Sequence, residues 1–159
     1  MIILGIDPGT ATTGYGVIES IPNKIKLCEC GVLKTLPDLP LSLRLKKIYD
    51  NIRKIIKKYK PEIIVIEELF FSQNVKTAMS VACARGVAML AAANSGIDVE
   101  EYTPIQVKQN IVGYGRAEKR QVQEMVKILL NLKEIPEPDD AADALALAIC
   151  YANTSKYKI

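Results

Sequence analysis

The sequence predicts one α/β domain, residues 1–159, in which a mixed five-stranded sheet is flanked by helices. Two observations predict this class. Three strand-like apolar segments follow one another at the N-terminus, and two further strand-like segments then alternate with segments of helical periodicity. The resulting order, βββαβαβ followed by helices, is typical of an α/β fold. A chain of 159 residues is long enough to bury one core.

The first three strands are predicted to form an antiparallel meander. Residues 2–7, IILGID, make a short apolar run that ends in an acid. The segments TGYGVIES and KIKLCECGVLKT follow, with a Pro-Asn turn at residues 22 and 23 between them. Strands joined by such short turns pair with their neighbours in sequence, so these three are expected to lie side by side.

A helix and a buried strand come next. From Leu41 onward, apolar residues recur at spacings of three and four, which predicts a helix with one buried stripe that ends at Pro61. The stripe consists of Leu45, Ile48, Ile52, Ile55 and Tyr59. The following segment EIIVIEE is apolar throughout its centre and too short for a helix, which is typical of a parallel strand covered on both faces.

The second half of the chain contains four predicted helices and one strand. An alanine-rich helix spans residues 74–94, and IDVEEY supplies the fifth strand. Thr103 and Pro104 start a short helix that ends at Gly113, because Thr is a favoured N-cap and Pro suits the first helical position. The loop GYGRAEK leads into the amphipathic helix EKRQVQEMVKILLNL, and the last helix begins after Pro138.

Composition excludes several functions. The chain has no histidine, so Ser-His-Asp catalysis, Cys-His catalysis and His-ligated zinc are excluded. Its four cysteines form no CxxC pair and are predicted to be reduced, buried thiols. Neither a signal peptide nor a membrane-spanning stretch is found, so we expect a cytoplasmic protein.

The segment PEPDDAADALALA, residues 136–148, places three acids at the start of an alanine-rich helix. Capping and the helix dipole favour acids at this end, which explains one or two of them. They do not explain Asp143, which lies one turn inside the helix on the same face as Asp140. Paired carboxylates repel unless a cation lies between them, so Asp140 and Asp143 are candidate metal ligands and Asp139 is a cap or a spectator.

Two more acids end predicted strands, where the sites of α/β sheets assemble. Asp7 closes the first strand, and either Glu67 or Glu68 closes the fourth. Alternation puts Glu67 and Glu68 on opposite faces, and periodicity does not say which face matters. Solvated strand ends and a turn at Pro8-Gly9 are the ordinary alternatives. If the four acids bind metal, 21 basic residues face 14 remaining acids, which suits a polyanionic substrate.

Five sequence blocks stand in order along nearly the whole chain: GIDPGTATTGYGVI, VIEELFF, ARGVA, QVKQNIVGYGRAEKRQV and DDAADALALA. Together they resemble the motif set of the RuvC family of Holliday-junction resolvases. The resemblance implies an RNase H-like fold and a homodimer that cuts two opposing strands of a four-way DNA junction. It also implies the RuvA and RuvB branch-migration complex as partner.

The resemblance implies divalent-metal catalysis by four acids, Asp7, Glu67, Asp140 and Asp143, and thereby selects Glu67 over Glu68. Four carboxylates balance the charge of two Mg²⁺ ions, and oxygen ligands are what Mg²⁺ prefers. We expect two Mg²⁺ per site, with Mn²⁺ able to substitute. Such a site hydrolyses a phosphodiester in line, leaving a 5′-phosphate and a 3′-hydroxyl.

The resemblance also points to DNA contacts. Phe70 matches an aromatic implicated in opening the junction beside the cut, and Lys108 and Lys119 match positions linked to the DNA backbone. Arg116, in the same segment, is a further expected contact. Phe71 and Tyr114 remain open between DNA stacking and ordinary structural roles. Weaker phosphate candidates are Lys76, Arg85 and Arg120.

Three other functions share some of these features. Actin-like and hexokinase-like ATPases have a similar Asp-x-Gly-Thr loop, but their fold needs two lobes and this chain supplies one. A non-catalytic junction-binding protein is disfavoured by the four acids. A related RNase H-like nuclease acting on RNA is the nearest alternative, and the matches at Phe70, Lys108 and Lys119 favour DNA junctions.

Overall fold

The sheet consists of β1 (Ile2–Asp7), β2 (Thr12–Ile21), β3 (Lys24–Lys34), β4 (Ile63–Glu67) and β5 (Asp98–Tyr102). The computed structural model that defines it describes residues 1–68 and 75–155. The strand order is β3-β2-β1-β4-β5. The pairs β1/β2 and β2/β3 are antiparallel, whereas β1/β4 and β4/β5 are parallel. The predicted mixed five-stranded sheet with an N-terminal meander is therefore confirmed.

Within the described residues, five helices flank this sheet in the predicted order: α1 (Leu41–Tyr59), α2 (Val75–Ala93), α3 (Pro104–Val112), α4 (Lys119–Leu129) and α5 (Asp139–Ser155). Their ends follow the local sequence. Thr103 caps α3 by accepting a hydrogen bond from the Gln106 N–H, and the Thr103 N–H donates to Gln106 Oε1 in return. Gly113, at φ 97°, ends this helix in the left-handed region that glycine tolerates.

The two faces of the sheet bury separate cores because side chains alternate along each strand. Leu4 and Ile64 pack with α1 and α2 on one face, and the predicted stripe of α1 supplies Ile48, Ile52 and Ile55 to this core. Ile3 and Val65 face α3, α4 and α5. In the described part of the chain, no helix is both long and apolar enough to cross a membrane.

Helix α5 lies with its backbone directly against β1 and β2. A Cβ added at Gly5 would come within 1.9 Å of the Ala144 carbonyl oxygen, and one at Gly14 would come within 1.9 Å of the Asp140 carbonyl oxygen. Only glycine allows this approach on the strand side. On the helix side, Ala141, Ala144 and Ala148 are fully buried. Small residues on both elements thus bring the start of α5 to the sheet.

The prediction that the cysteines are buried is wrong for three of them. Cys150 is buried, but Cys30 and Cys83 are half-buried and Cys28 is exposed. Cys28 lies where the β2/β3 register shifts, since Val17 pairs with Glu29 and Ile18 with Leu27. Residue 28 therefore has no cross-strand partner. Its side chain is exposed like those of Lys24 and Lys26, which precede it at alternate positions of β3. All four thiols are free, as predicted.

Candidate active site

Asp7 and Glu67 come together at the ends of two neighbouring parallel strands. The β1/β4 register pairs Ile6 with Ile66, so the next residues, Asp7 and Glu67, lie at the same edge of the sheet. Both point to the face that α5 covers, because they lie two residues after Gly5 and Val65, which face α5, and residues two apart in a strand share a face. Glu68 lies beyond the strand, where its N–H donates to the Tyr102 carbonyl oxygen. The geometry therefore groups Glu67, and not Glu68, with Asp7.

Helix α5 adds Asp140 and Asp143 to this edge. Asp140 lies over Gly14, which pairs with Asp7 across β1 and β2. Asp143 follows one turn later on the same side of the helix. The close packing of α5 on the glycines thus brings two helical acids next to the two strand acids.

A cavity of about 210 Å³ opens at this edge. Asp7, Glu67 and Asp143 line it together with Lys108 and Lys119. The rest of its wall is Pro104, Val107, Val122, Ala146 and Leu147. A larger groove of about 790 Å³ between α1 and the end of α2 contains a single acid, Asp50, and so lacks the chemistry of a carboxylate site.

The acids in this cavity resist ionisation. Burial, followed by the charges of Glu67, Asp143 and Asp140, raises the pKa of Asp7 to about 7. Burial and then Asp143 raise the pKa of Glu67. Burial also raises the pKa of Asp143, against the lowering effect of Lys119. Clustered carboxylates of this kind are stabilised by a bound cation.

Lys119 contacts two acids of α5 from the first turn of α4. Its Nζ lies 2.9 Å from Asp143 Oδ2 and 3.3 Å from Asp139 Oδ2. Gln123, one turn further along α4, donates from Nε2 to Asp139 Oδ1 at 2.9 Å. This bond, followed by Lys119, lowers the pKa of Asp139. Asp139 thus forms an ion pair with Lys119 and accepts a hydrogen bond from Gln123.

The donor set fits a hard divalent cation. Carboxylate oxygens are the preferred ligands of Mg²⁺, and four coupled acids supply the charge that two such ions need. Among the described side chains, no group of three or more His, Cys, Asp or Glu residues is placed to hold a metal ion as it stands. One of the four acids, Asp143, contacts Lys119 in this structure.

The predicted DNA contacts differ in their surroundings. Lys108 is half-buried and lines the cavity, whereas Arg116 is exposed in the loop before α4. Tyr114 is exposed in the same loop. Phe70 and Phe71 lie outside the described residues, as does the side chain of Lys76. The other weaker candidates are Arg85, which forms an ion pair with Glu101, and Arg120, which is exposed.

Sequence reasoning missed two residues that shape this site. Gly14 sets the distance between α5 and the sheet, and Gln123 anchors Asp139. A signal existed for Gln123, because it is four residues after Lys119 and therefore on the same face of α4. For Gly14 the signal was a glycine inside a strand, which often marks a close backbone approach.

The family model for crossover junction endodeoxyribonuclease RuvC matches residues 3–151. The chain belongs to the RuvC family. The RuvC of Desulforamulus reducens is 63% identical over 155 residues, which cover 98% of this chain and 95% of that protein. The RuvC of Ruminiclostridium cellulolyticum is 56% identical over 156 residues, covering 98% and 94%.

Solved RuvC structures agree with this assignment. Thermus thermophilus RuvC superposes with a TM-score of 0.93 at 36% identity, over 99% of this chain and 97% of that one. The same protein in complex with a Holliday junction substrate gives a TM-score of 0.91 at 34% identity, over 99% and 96%. The RNase H-like fold that the motifs imply is thereby confirmed, and a RuvC nuclease implies dependence on a divalent metal.

The raised pKa values predict how the stability of the metal-free protein changes with pH. The pKa of Asp7 is about 7 in the folded protein, against an ordinary value of 3.8 that applies to the unfolded chain. Between these two pH values the folded state therefore holds more protons than the unfolded state. Its contribution to stability is complete below pH 4 and is lost as pH rises through 7. We expect the free energy of unfolding in EDTA to fall by roughly 2 to 4 kcal/mol from pH 5 to pH 8 through this group.

Urea denaturation in EDTA at the two pH values measures this change. Asp7→Asn removes the titrating group, so its unfolding free energy should vary much less over the same interval. Equal pH dependence in wild type and Asp7→Asn would contradict the raised pKa of Asp7.

Proposed function

We propose that this RuvC-family chain is a structure-specific endonuclease that resolves four-way (Holliday) DNA junctions by paired, symmetric hydrolysis, leaving 5′-phosphate and 3′-hydroxyl ends. The observation that carries the proposal is the coupled set Asp7, Glu67, Asp140 and Asp143 at one edge of the sheet. The likeness to a RuvC solved with a Holliday junction supports the choice of substrate. In this proposal the whole chain, residues 1–159, acts as one nuclease domain.

The four acids are proposed as the ligands of two Mg²⁺ ions, for which Mn²⁺ can substitute. When bound, such a pair of ions activates the attacking water and stabilises the leaving 3′ oxygen. The protein's own task is to hold the carboxylates on three rigid elements, β1, β4 and α5. Rigid placement matters because a reacting group displaced by about 1 Å costs on the order of 10²-fold in rate.

Basic side chains around the cavity are proposed to position the DNA. Lys108 and Lys119 line the cavity and face the scissile phosphate, whereas Arg116 contacts the backbone further out. Phosphate contacts of this kind fix register and carry no sequence information. Phe70 is proposed to stack on a base beside the cut. Stacking on an aromatic side chain is worth about 1 to 3 kcal/mol per base.

The alternatives are a related nuclease acting on RNA and a non-catalytic junction-binding protein. A cleavage assay with a synthetic four-way DNA junction, a linear duplex and an RNA–DNA hybrid separates them. Selective cutting of the junction supports resolution. Cutting of the hybrid alone would favour the RNA nuclease, and binding without cutting in any divalent metal would favour the non-catalytic protein.

Metal exchange gives a sharper expectation on the same substrate. We expect rapid junction cleavage in Mg²⁺, none in EDTA, and at least about 10²-fold slower cleavage in Ca²⁺, because Ca²⁺ coordination is larger and more flexible. Binding, measured by gel shift, should persist in Ca²⁺. Comparable cleavage rates in Mg²⁺ and Ca²⁺ would contradict a tightly specified two-metal site.

The active form is proposed to be a C2 dimer with α2 in the interface, because a junction has two equivalent strands to cut. One side of α2 packs on the core through Ala84 and Ala88. Its other side exposes Met79 at 63% and Leu90 at 54%. Ala82 and Gly86 lie between these two along the same side, which makes a continuous apolar stripe. The RuvA–RuvB complex is the proposed motor partner of this dimer.

Placing a charge in the stripe tests the dimer. We expect Ala82→Arg to yield folded monomers that nick a supercoiled cruciform plasmid on one strand, whereas wild type produces linear plasmid by coordinated cuts. Light scattering and gel analysis measure the two effects. The matched control is Ile128→Arg, which alters an apolar side chain on α4 that is 64% exposed and should leave the dimer intact. A monomeric wild type that makes only nicked circles would contradict the proposal.

A further inference from the structure

Lys119 occupies an unusual position among the cations of this cavity. Lys108 and Lys119 both line the cavity, and among the described residues only Lys119 forms an ion pair with one of the cavity's acids. Its Nζ lies 2.9 Å from Asp143 Oδ2, so the ammonium contacts a carboxylate that is also one of the proposed metal ligands. An ion bound in the proposed site would share this carboxylate with the ammonium or replace the ammonium there.

A second carboxylate is available to the same ammonium outside the cavity. Asp139 Oδ2 lies 3.3 Å from Lys119 Nζ, and Asp139 does not line the cavity. Its other oxygen, Oδ1, accepts a hydrogen bond from Gln123, whose side chain is buried. Asp139 is thus held beside Lys119 by a group that carries no charge.

We infer that Lys119 is a built-in counter-ion that competes with divalent ions for Asp143, and that Asp139, anchored by Gln123, retains the ammonium when an ion binds. The inference rests on the proposed metal site. In the metal-free protein, Lys119 neutralises part of the clustered charge. When an ion takes Asp143, the ammonium keeps Asp139 as partner and remains at the rim of the cavity, close to the position of an incoming phosphate. Lys119 is a positioning residue in this scheme.

The scheme predicts that substitution of Lys119 and substitution of its anchor, Asp139 or Gln123, change the affinity for a divalent ion in opposite directions. Lys119→Met removes the competitor and should raise the affinity for an ion. When an ion binds Asp143, the ammonium of Lys119 keeps only Asp139 as its partner. Asp139→Asn removes that partner and should therefore lower the affinity for the ion. Gln123→Leu releases Asp139 without changing any charge and should also lower it.

The experiment is isothermal titration of the DNA-free protein with Mn²⁺, so that no contact of Lys119 with DNA contributes. Relative to wild type, we expect roughly three- to fivefold tighter binding for Lys119→Met and roughly twofold weaker binding for Asp139→Asn and Gln123→Leu. In the Lys119→Met background, Asp139→Asn and Gln123→Leu should have no further effect, because they act through the lysine.

Lys108→Met is the matched control, because Lys108 lines the same cavity without an ion pair to its acids. A change below about twofold there is expected, since removal of a charge without a direct contact has a small effect. Equal gains in Lys108→Met and Lys119→Met would overturn the inference in favour of a general charge effect. If Asp139→Asn still weakens Mn²⁺ binding in the Lys119→Met background, the inference is overturned, because the charge of Asp139 would then act on the ion directly.

The failure of the underlying site has a different signature. If wild type and Asp7→Asn bind Mn²⁺ equally, the proposed metal site itself is wrong. If Asp7→Asn loses Mn²⁺ and Lys119→Met binds no more tightly than wild type, the site stands and the competition is wrong. Lys119 is 52% exposed, so its substitution leaves the core intact, and a thermal melt of each variant verifies folding.

Discussion

Asp7→Asn is expected to slow cleavage of a four-way junction by at least about 10³-fold while junction binding changes less than twofold. A metal acting on a phosphoryl oxygen is worth several kcal/mol, and each 1.36 kcal/mol is tenfold in rate. Asparagine keeps the size of the side chain but supplies no negative charge to a cation. The basic side chains Lys108 and Arg116 are unaltered, so the binding surface is retained. Single-turnover cleavage and gel shift in Ca²⁺ measure the two quantities.

The neighbouring acids Glu67 and Glu68 give this prediction a matched control. Glu67→Gln should lose cleavage as Asp7→Asn does, because both acids end paired strands on the face of α5. Glu68→Gln should cut normally, because Glu68 lies beyond the strand and is exposed. Loss of cleavage in Glu68→Gln together with normal cutting in Glu67→Gln would show that Glu68, and not Glu67, belongs to the active site.

Gly14→Ala is expected to lower cleavage by about 10²-fold although residue 14 carries no functional group, because a shift of about 1 Å in a catalytic group has an effect of this size. A Cβ at residue 14 would lie 1.9 Å from the Asp140 carbonyl oxygen and 2.4 Å from its carbonyl carbon. Backbone atoms cannot rotate away, so the start of α5 has to move. Asp140 and Asp143 move with it.

The same change should also cost stability. Overpacking a core contact costs roughly 1 to 3 kcal/mol, which corresponds to a fall in Tm of roughly 2 to 10 °C in a chain of this size. Gly31→Ala is the control in the same sheet, since the three atoms nearest to its Cβ would all belong to the Tyr15 side chain, at 3.0 Å or more. We expect near-normal cleavage from it. Equal loss in both variants would mean that α5 placement is not what limits Gly14→Ala.

Much of the fold could be predicted because its signals are local. Apolar spacing identified α1 and its buried stripe, and Thr103-Pro104 and Gly113 marked the two ends of α3. The bounds of α2 agree with the prediction to within one residue at each end, since the helix was predicted over 74–94 and is Val75–Ala93. The burial of three cysteines was mispredicted because the exposure of a side chain depends on which face of its strand or helix is covered, and residue type alone does not show that.

The candidate site could be predicted in part for the same reason. Acids at strand ends and at a helix start are visible in sequence, and the ordered motifs identified the RuvC family. From the sequence alone, the choice between Glu67 and Glu68 needed the family resemblance, because alternation along one strand does not show which face the neighbouring helix covers. The β1/β4 register and the position of α5 now give the physical reason for Glu67.

The sequence by itself determined the elements and their order, because these depend on residue type and short-range spacing. Its ordered motifs also identified the family and, through the family resemblance, the four candidate acids. Only the tertiary structure decided which residues of other elements contact the acids of α5. Lys119 and Asp143 are far apart in sequence, yet the packing of α4 on α5 places their charged atoms 2.9 Å apart. The contact of Gln123 with Asp139 and that of Gly14 with Asp140 have the same origin. Contacts between distant segments follow from how helices pack on a sheet, and no local pattern encodes that distance.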